Sequence, residues 1–310
     1  MAVIAFMMTI SASAQFYIYF SNGTVAKVDS ISMVAPADAE DPTNPDNPST
    51  PSQGIGVFSV SATKQVTFSP GNLQYTQSTK TWSFASAQWE MLGTDNVIGD
   101  NAYSSQEGDI KYGIALDNKV DLFGWSTSAS YFGVSTSIDE NDYSGSFVDW
   151  GTNKIGNDAP NTWRTLTYDE WYYLCWERPN YLGLRGVAQV NGVNGLIFLP
   201  DNWPYPAGVT FKPGFHSSSD STECYAAYQT FTKEQWSKLE SAGAVFLPAA
   251  GSRSSGTNVN YVQYRGNYWS ATETESASSL ADCLSFFSSS ANVGGFYRET
   301  GRSVRLVKDL

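Results

Sequence analysis

Residues 36–54 constrain this chain more than any other stretch. They carry Pro36, Pro42, Pro45, Pro48 and Pro51, together with Asp38, Glu40, Asp41 and Asp46 and no basic residue. Proline lacks the N–H that helices and ladders need, and like charges push a chain open, so the stretch reads as a semi-extended spacer. At about 3 Å per residue in a polyproline-like form it spans several nanometres. The chain is therefore expected to divide into a short N-terminal part and one long domain, 55–310.

Before the spacer, two signals follow one another. Val3 to Ile10 is an apolar run, and Ala12-Ser13-Ala14 ahead of Gln15 fits a small-residue cleavage site, so 1–14 is read as an export signal, although it lacks a basic leading region. No cysteine follows that site, so a lipoprotein anchor is not expected. In 15–35, Asn22-Gly23 lies between the strand-like runs Phe16 to Phe20 and Thr24 to Val28. Both turn residues tolerate positive φ, which predicts a β-hairpin. No later run is apolar for long enough to span a bilayer.

The long domain has the means to build a core. The chain contains 10 Trp, 18 Tyr and 17 Phe, and its charged fraction of 15% suits neither a coiled coil nor a disordered chain. A net charge of −12 repels nucleic acid phosphates and anionic lipid surfaces, so neither is expected as a partner. Cys175, Cys224 and Cys283 form no CxxC pair, and His216 is the single histidine, which argues against a Cys/His zinc site. Pairing of Cys224 with Cys283 in an exported chain and three free thiols both stay open.

Local patterns predict short strands at Val57 to Val60, Gln65 to Phe68, Leu73 to Tyr75, Gly195 to Pro200, Ala244 to Pro248, Tyr268 to Ser270, Leu284 to Phe287 and Ser303 to Val307. Two helices are marked by capping boxes. In one, Thr167 caps and Glu170 reaches back, with Trp171, Leu174 and Cys175 on one face and Pro179 as the stop; in the other, Thr232 and Gln235 play those parts ahead of Trp236 and Leu239. The pattern predicts an α+β fold, with Cys175 a small core residue.

Seven blocks in order carry a resemblance: Val66 to Tyr75, Asp121 to Trp125, Trp163 to Thr167 with Glu170-Trp171, Asn191 to Gly195, Phe246 to Gly251, Tyr268 to Ser270, and Ser303 to Val307. Together they resemble an exported family of gut-dwelling Gram-negative bacteria related to the "major paralogous" domains. More distantly, they are similar to the formylglycine-generating-enzyme branch of the C-type lectin fold. The resemblance implies a C-type-lectin-like fold, with two helices flanking small antiparallel sheets. Some members, including targets of diversity-generating retroelements, carry a binding surface between the Tyr-Trp-Ser block and the closing strand. Here that interval is 271–302, and it nominates Thr272, Glu273, Thr274, Asp282, Ser285, Ser288, Ser290, Asn292, Tyr297 and Arg298 as ligand-binding residues. Tyr, Ser and Asn suit recognition, because they combine large amphipathic contact with adaptable hydrogen bonding.

Departures from the relatives matter as much. The calcium-binding triplets of sugar-binding C-type lectins are missing, and Glu177-Arg178-Pro179-Asn180 inserts a positive charge where a cation would sit. Neither Cys224 nor Cys283 matches the copper-binding pair of the formylglycine-generating branch. There is no Walker A, no HExxH, and any triad would hang on His216 alone. No catalytic residue, metal or cofactor is expected. The resulting expectation is an adhesin-type surface protein, exported to the cell surface, the periplasm or the medium, that binds a protein or glycan on a host or neighbouring cell. An exported carbohydrate-active enzyme and a fimbrial or structural subunit are the alternatives.

Overall fold

The computed structural model describes residues 16–19, 25–28, 56–93, 119–217, 223–255, 258–275 and 277–310, the first two for their backbone only. The signal (1–14), the Asn22-Gly23 turn and the spacer (36–54) lie outside the described residues. Two compact units separate, Met1–Ser49 and Thr50–Leu310. In the first, β1 (Phe16–Tyr19) pairs antiparallel with β2 (Val25–Val28), Tyr19 opposite Val25.

The second unit is a set of small sheets. β3 (Phe58–Ser59), β4 (Gln65–Phe68) and β17 (Val307–Asp309) form one, so the last strand closes onto the first hairpin. β5 (Leu73–Thr76) pairs with β6 (Thr81–Phe84) and β7 (Lys119–Val120). The largest sheet has the order β10-β8-β9-β11, built from β8 (Arg185–Val190), β9 (Val193–Phe198), β10 (Thr230–Phe231) and β11 (Val245–Pro248). Its central hairpin turns at Asn191 and Gly192, both at positive φ (49° and 81°), the geometry that suits the twist of the flanking strands. β12 (Ser252–Ser255) pairs with β13 (Asn258–Asn260). β14 (Gly266–Glu273), β15 (Leu280–Phe286) and β16 (Ala291–Tyr297) form a meander.

Three helices accompany the sheets among the described residues: α1 (Tyr168–Tyr172), α2 (Glu223–Tyr228) and α3 (Lys233–Ser241). Both capping boxes form, at Thr167/Glu170 and Thr232/Gln235. Trp171, Leu174 and Cys175 are fully buried with Phe68, Leu247, Tyr268 and Leu284 in one core cluster. A second cluster gathers Trp236, Leu239 and Phe246, and a third gathers Trp82, Trp125, Trp150 and Trp269.

The architecture overturns the expected fold class. Strand accounts for 35% and helix for 14%, spread over several small sheets and three short helices, so the chain is mostly β and not an α+β C-type-lectin fold. The physical reason lies in the helices. α1 is a single turn that continues as a π-helical turn over Tyr173–Glu177, and only α3 reaches nine residues. Capping boxes mark where a helix starts but carry no information about its length. The expected closing strand also moves. Ser303 to Leu306 runs as extended chain with an isolated bridge from Ser303 to Tyr268, and pairing resumes only at Val307.

Candidate functional site

α1 and the π-turn that follows carry two stripes. The stripe with Trp171, Leu174 and Cys175 goes into the core. On the other, Tyr168, Tyr172 and Trp176 recur every fourth residue. The rings of Tyr168 and Tyr172 stack at 6.0 Å and 13°, and Trp176 follows Tyr172 at 5.2 Å. Tyr172 is 41% exposed, and Tyr168 and Trp176 are half-buried. The three rings form an aromatic ridge whose most open member is Tyr172, while Trp176 packs against the core and carries the Arg185 guanidinium 5.3 Å over its ring. The π-turn is itself informative, because such turns are frequent at functional positions.

Beside the ridge lies a groove of about 410 Å³, lined by Val60, Ser61, Tyr168, Asp169, Tyr172, Tyr173 and Glu177. Its walls are tied down. Asp201 accepts hydrogen bonds from Ser59 N–H and Ser59 Oγ, both at 2.7 Å, which holds the turn carrying Val60 and Ser61. Arg178, fully buried, donates to the carbonyls of Leu184 and Leu199 at 3.0 Å each and pairs with Asp201 at 3.3 Å, fixing the end of the π-turn.

The start of α1 is held by charge. Arg164 forks onto Glu170 at 2.7 and 2.8 Å and onto Asp309 of β17 at 2.7 and 2.9 Å, while Lys64 reaches Glu170 at 3.0 Å. Burial alone would raise Glu170, but the hydrogen bonds from Arg164, Thr167 and Lys64 carry its carboxyl below the usual value. The hydrogen bond from Arg164 also lowers Asp309.

The residues nominated from the sequence divide sharply. Thr272 Oγ1 accepts the Tyr168 N–H at 2.9 Å, and Thr274 Oγ1 donates to Asp282 at 2.9 Å. These three residues therefore gather at the start of α1, next to the ridge. Burial, followed by the nearby Glu275 charge, raises Asp282 despite the Thr274 hydrogen bond, and burial raises Tyr168, helped by the Asp282 charge. Arg298 is 4% exposed. Its guanidinium lies 4.2 Å over the Trp125 ring, pairs with Glu273 and donates to Gly145 O at 3.2 Å. Ser285 is buried and donates to Asn267, and Ser288 is buried. Glu273, Ser290, Asn292 and Tyr297 are exposed.

Sequence reasoning missed Tyr168, Tyr172 and Trp176. Their signal was present as four-residue spacing on the stripe opposite Trp171, Leu174 and Cys175. All three cysteines are buried and none is in a disulfide, so the Cys224–Cys283 bridge is not present. Burial pushes the thiols of Cys175 and Cys283 up to about 12 and about 11, which leaves them protonated and inert at neutral pH. His216 stacks on Tyr228 at 5.5 Å. Among the described residues, no group of three His, Cys, Asp or Glu side chains is placed to hold a metal ion, and no helix is long and apolar enough to cross a membrane.

No protein-family model, curated protein or solved structure matches the chain.

Proposed function

We propose that this chain is an exported surface protein that binds a glycan across the Tyr168–Tyr172–Trp176 ridge and its groove. The observation that carries this reading is a row of three aromatic rings, with Tyr172 exposed, beside a cleft that holds Asp169, Glu177 and Ser61. Aromatic faces accept the apolar C–H face of a sugar ring, and carboxylates and a hydroxyl are the natural acceptors for its hydroxyl groups. The fixed groove walls lower the ordering cost of binding. The apolar run with its Ala-Ser-Ala site, and the resemblance of the seven blocks to exported proteins of gut bacteria, support the surface setting.

Thr272 and Thr274 adjoin the ridge and extend the polar rim, with the buried Asp282 behind Thr274. Exposed anchors of this kind concentrate binding energy in a few rings. In a glycan array followed by titration calorimetry, Tyr172→Ala should weaken binding by ~10-fold or more. Its melting temperature should stay within a degree or two of wild type, because the ring is exposed. Glycan binding that survives Tyr172→Ala and Trp176→Ala unchanged would place the ligand elsewhere.

A further inference from the structure

The β14-β15-β16 sheet is closed on one edge and open on the other. On the β14 side, Trp269 N–H donates to Ser303 O at 3.1 Å and Ser303 N–H donates to Asn267 O at 3.0 Å, so the chain's own closing segment occupies that edge. On the β16 side, the ladder register decides which groups face out. Phe287 N–H donates to Ser290 O at 2.8 Å, and Arg298 N–H donates to Ser279 O at 3.1 Å. Hydrogen-bonded pairs alternate along an antiparallel ladder, so Ser285/Asn292, Cys283/Gly294 and Ala281/Phe296 bond within the sheet. The N–H and C=O groups of Ala291, Val293 and Gly295, with the N–H of Tyr297, then point outward. No described residue hydrogen-bonds to them, while Tyr297 O takes Thr300 N–H in a turn.

Edges of this kind are normally blunted by proline, charge, a bulge or a covering segment. β16 reads Ala-Asn-Val-Gly-Gly-Phe-Tyr, with no proline and no charge, and its register against β15 runs without a bulge. Ala291, Val293 and Phe296 are only half-covered by the core, and Tyr297 is 60% exposed.

We propose that β16 pairs antiparallel with β16 of a second copy of this chain, about a two-fold axis at Gly294, joining two three-stranded sheets into one. In that register Val293 faces Gly295 of the other copy and exchanges main-chain bonds with it, and Ala291 faces Tyr297. All four outward positions find partners, Tyr297 through its N–H onto Ala291 O. Any other two-fold register leaves at least one of them unpaired, so the pairing of two copies has one register, and the match of Val293 to Gly295 and of Ala291 to Tyr297 is what favours a second copy over a foreign strand. Large side chains also meet small ones across the seam, as a self-complementary interface requires.

Gly294 supplies the test. A Cβ there meets nothing within 4 Å and its φ is not positive, so a side chain leaves the fold intact while putting two copies of itself face to face at the axis. Sedimentation of the full-length chain should give a dimer for wild type and monomers for Gly294→Glu and Gly294→Lys. Mixing the two variants in equal amounts should restore a dimer. Wild-type hydrogen exchange gives a second measurement, in which the amides of Val293 and Gly295 slow as concentration rises. A wild-type chain that is monomeric at every concentration overturns the proposal and leaves the edge to a foreign strand. A Gly294→Glu chain that stays dimeric, or amides whose exchange ignores concentration, overturns it equally.

Discussion

Tyr297 and Arg298 are neighbours in the chain with opposite fates. Tyr297 ends an edge strand with its ring in solvent, whereas Arg298 folds back over Trp125 and pairs with Glu273. Removing a buried, stacked guanidinium leaves a void and strips three of its partners at once. Arg298→Ala is therefore expected to lower stability by about 2–4 kcal/mol, measured by urea unfolding. Tyr297→Ala should stay within about 0.5 kcal/mol at concentrations low enough to keep the chain monomeric. Equal losses for the two substitutions would show that Arg298 is not the anchor its contacts describe. Composition cannot separate these two residues, because both types suit a binding surface. Their position relative to the end of β16 separates them.

α1 shows how little local propensity a short helix needs when its ends are held. One turn is far below the length that is stable alone in water. Thr167 and Glu170 satisfy its first donors, and the Arg164 fork ties it to β17. Thr167→Ala should cost about 1 kcal/mol, the ordinary value of a cap. Glu170→Ala should cost more, about 3 kcal/mol, because it removes the cap partner together with one of the two carboxylates that hold Arg164 and the nearer one that holds Lys64. The same network orients Tyr168, so Glu170→Ala should also weaken glycan binding in the calorimeter, while Thr167→Ala should do so less. Matching losses of stability for the two variants would mean that the ion pairs contribute nothing beyond the cap.

For the whole molecule, the acidic residues set a pH dependence with two limbs. Burial raises Glu240, Asp282 and Glu299 above their ordinary values. A raised folded carboxyl takes up its proton first in the folded state, so stability grows as pH falls from neutral through these groups. Relief of self-repulsion in a chain of net charge −12 acts in the same direction. Glu170 and Asp309 lie below their ordinary values of 4.5 and 3.8, so their contribution is complete above those values and is lost as pH falls through the folded ones. The melting temperature should therefore pass through a maximum on the mildly acid side and drop in strong acid. Glu170→Gln should flatten the drop. A profile that only declines from neutral downward would contradict the assignment of the raised group.

Some of this protein was legible in the chain itself, and the reason is range. A capping box, an alternating run such as Gln65 to Phe68 and an apolar stripe such as Trp171, Leu174 and Cys175 are all completed within a few residues, so local chemistry decides them. The mostly β architecture was not of that kind, because the lengths of α1 and α3 depend on what packs against them. Nor was the burial of Asp282, Ser285, Ser288 and Arg298, since polar side chains go inside only where distant partners such as Asn267, Trp125 and Glu273 meet them. The open edge of β16 is the extreme case. Whether its outward amides find a partner depends on where the closing segment lies, and that segment runs along β14 instead.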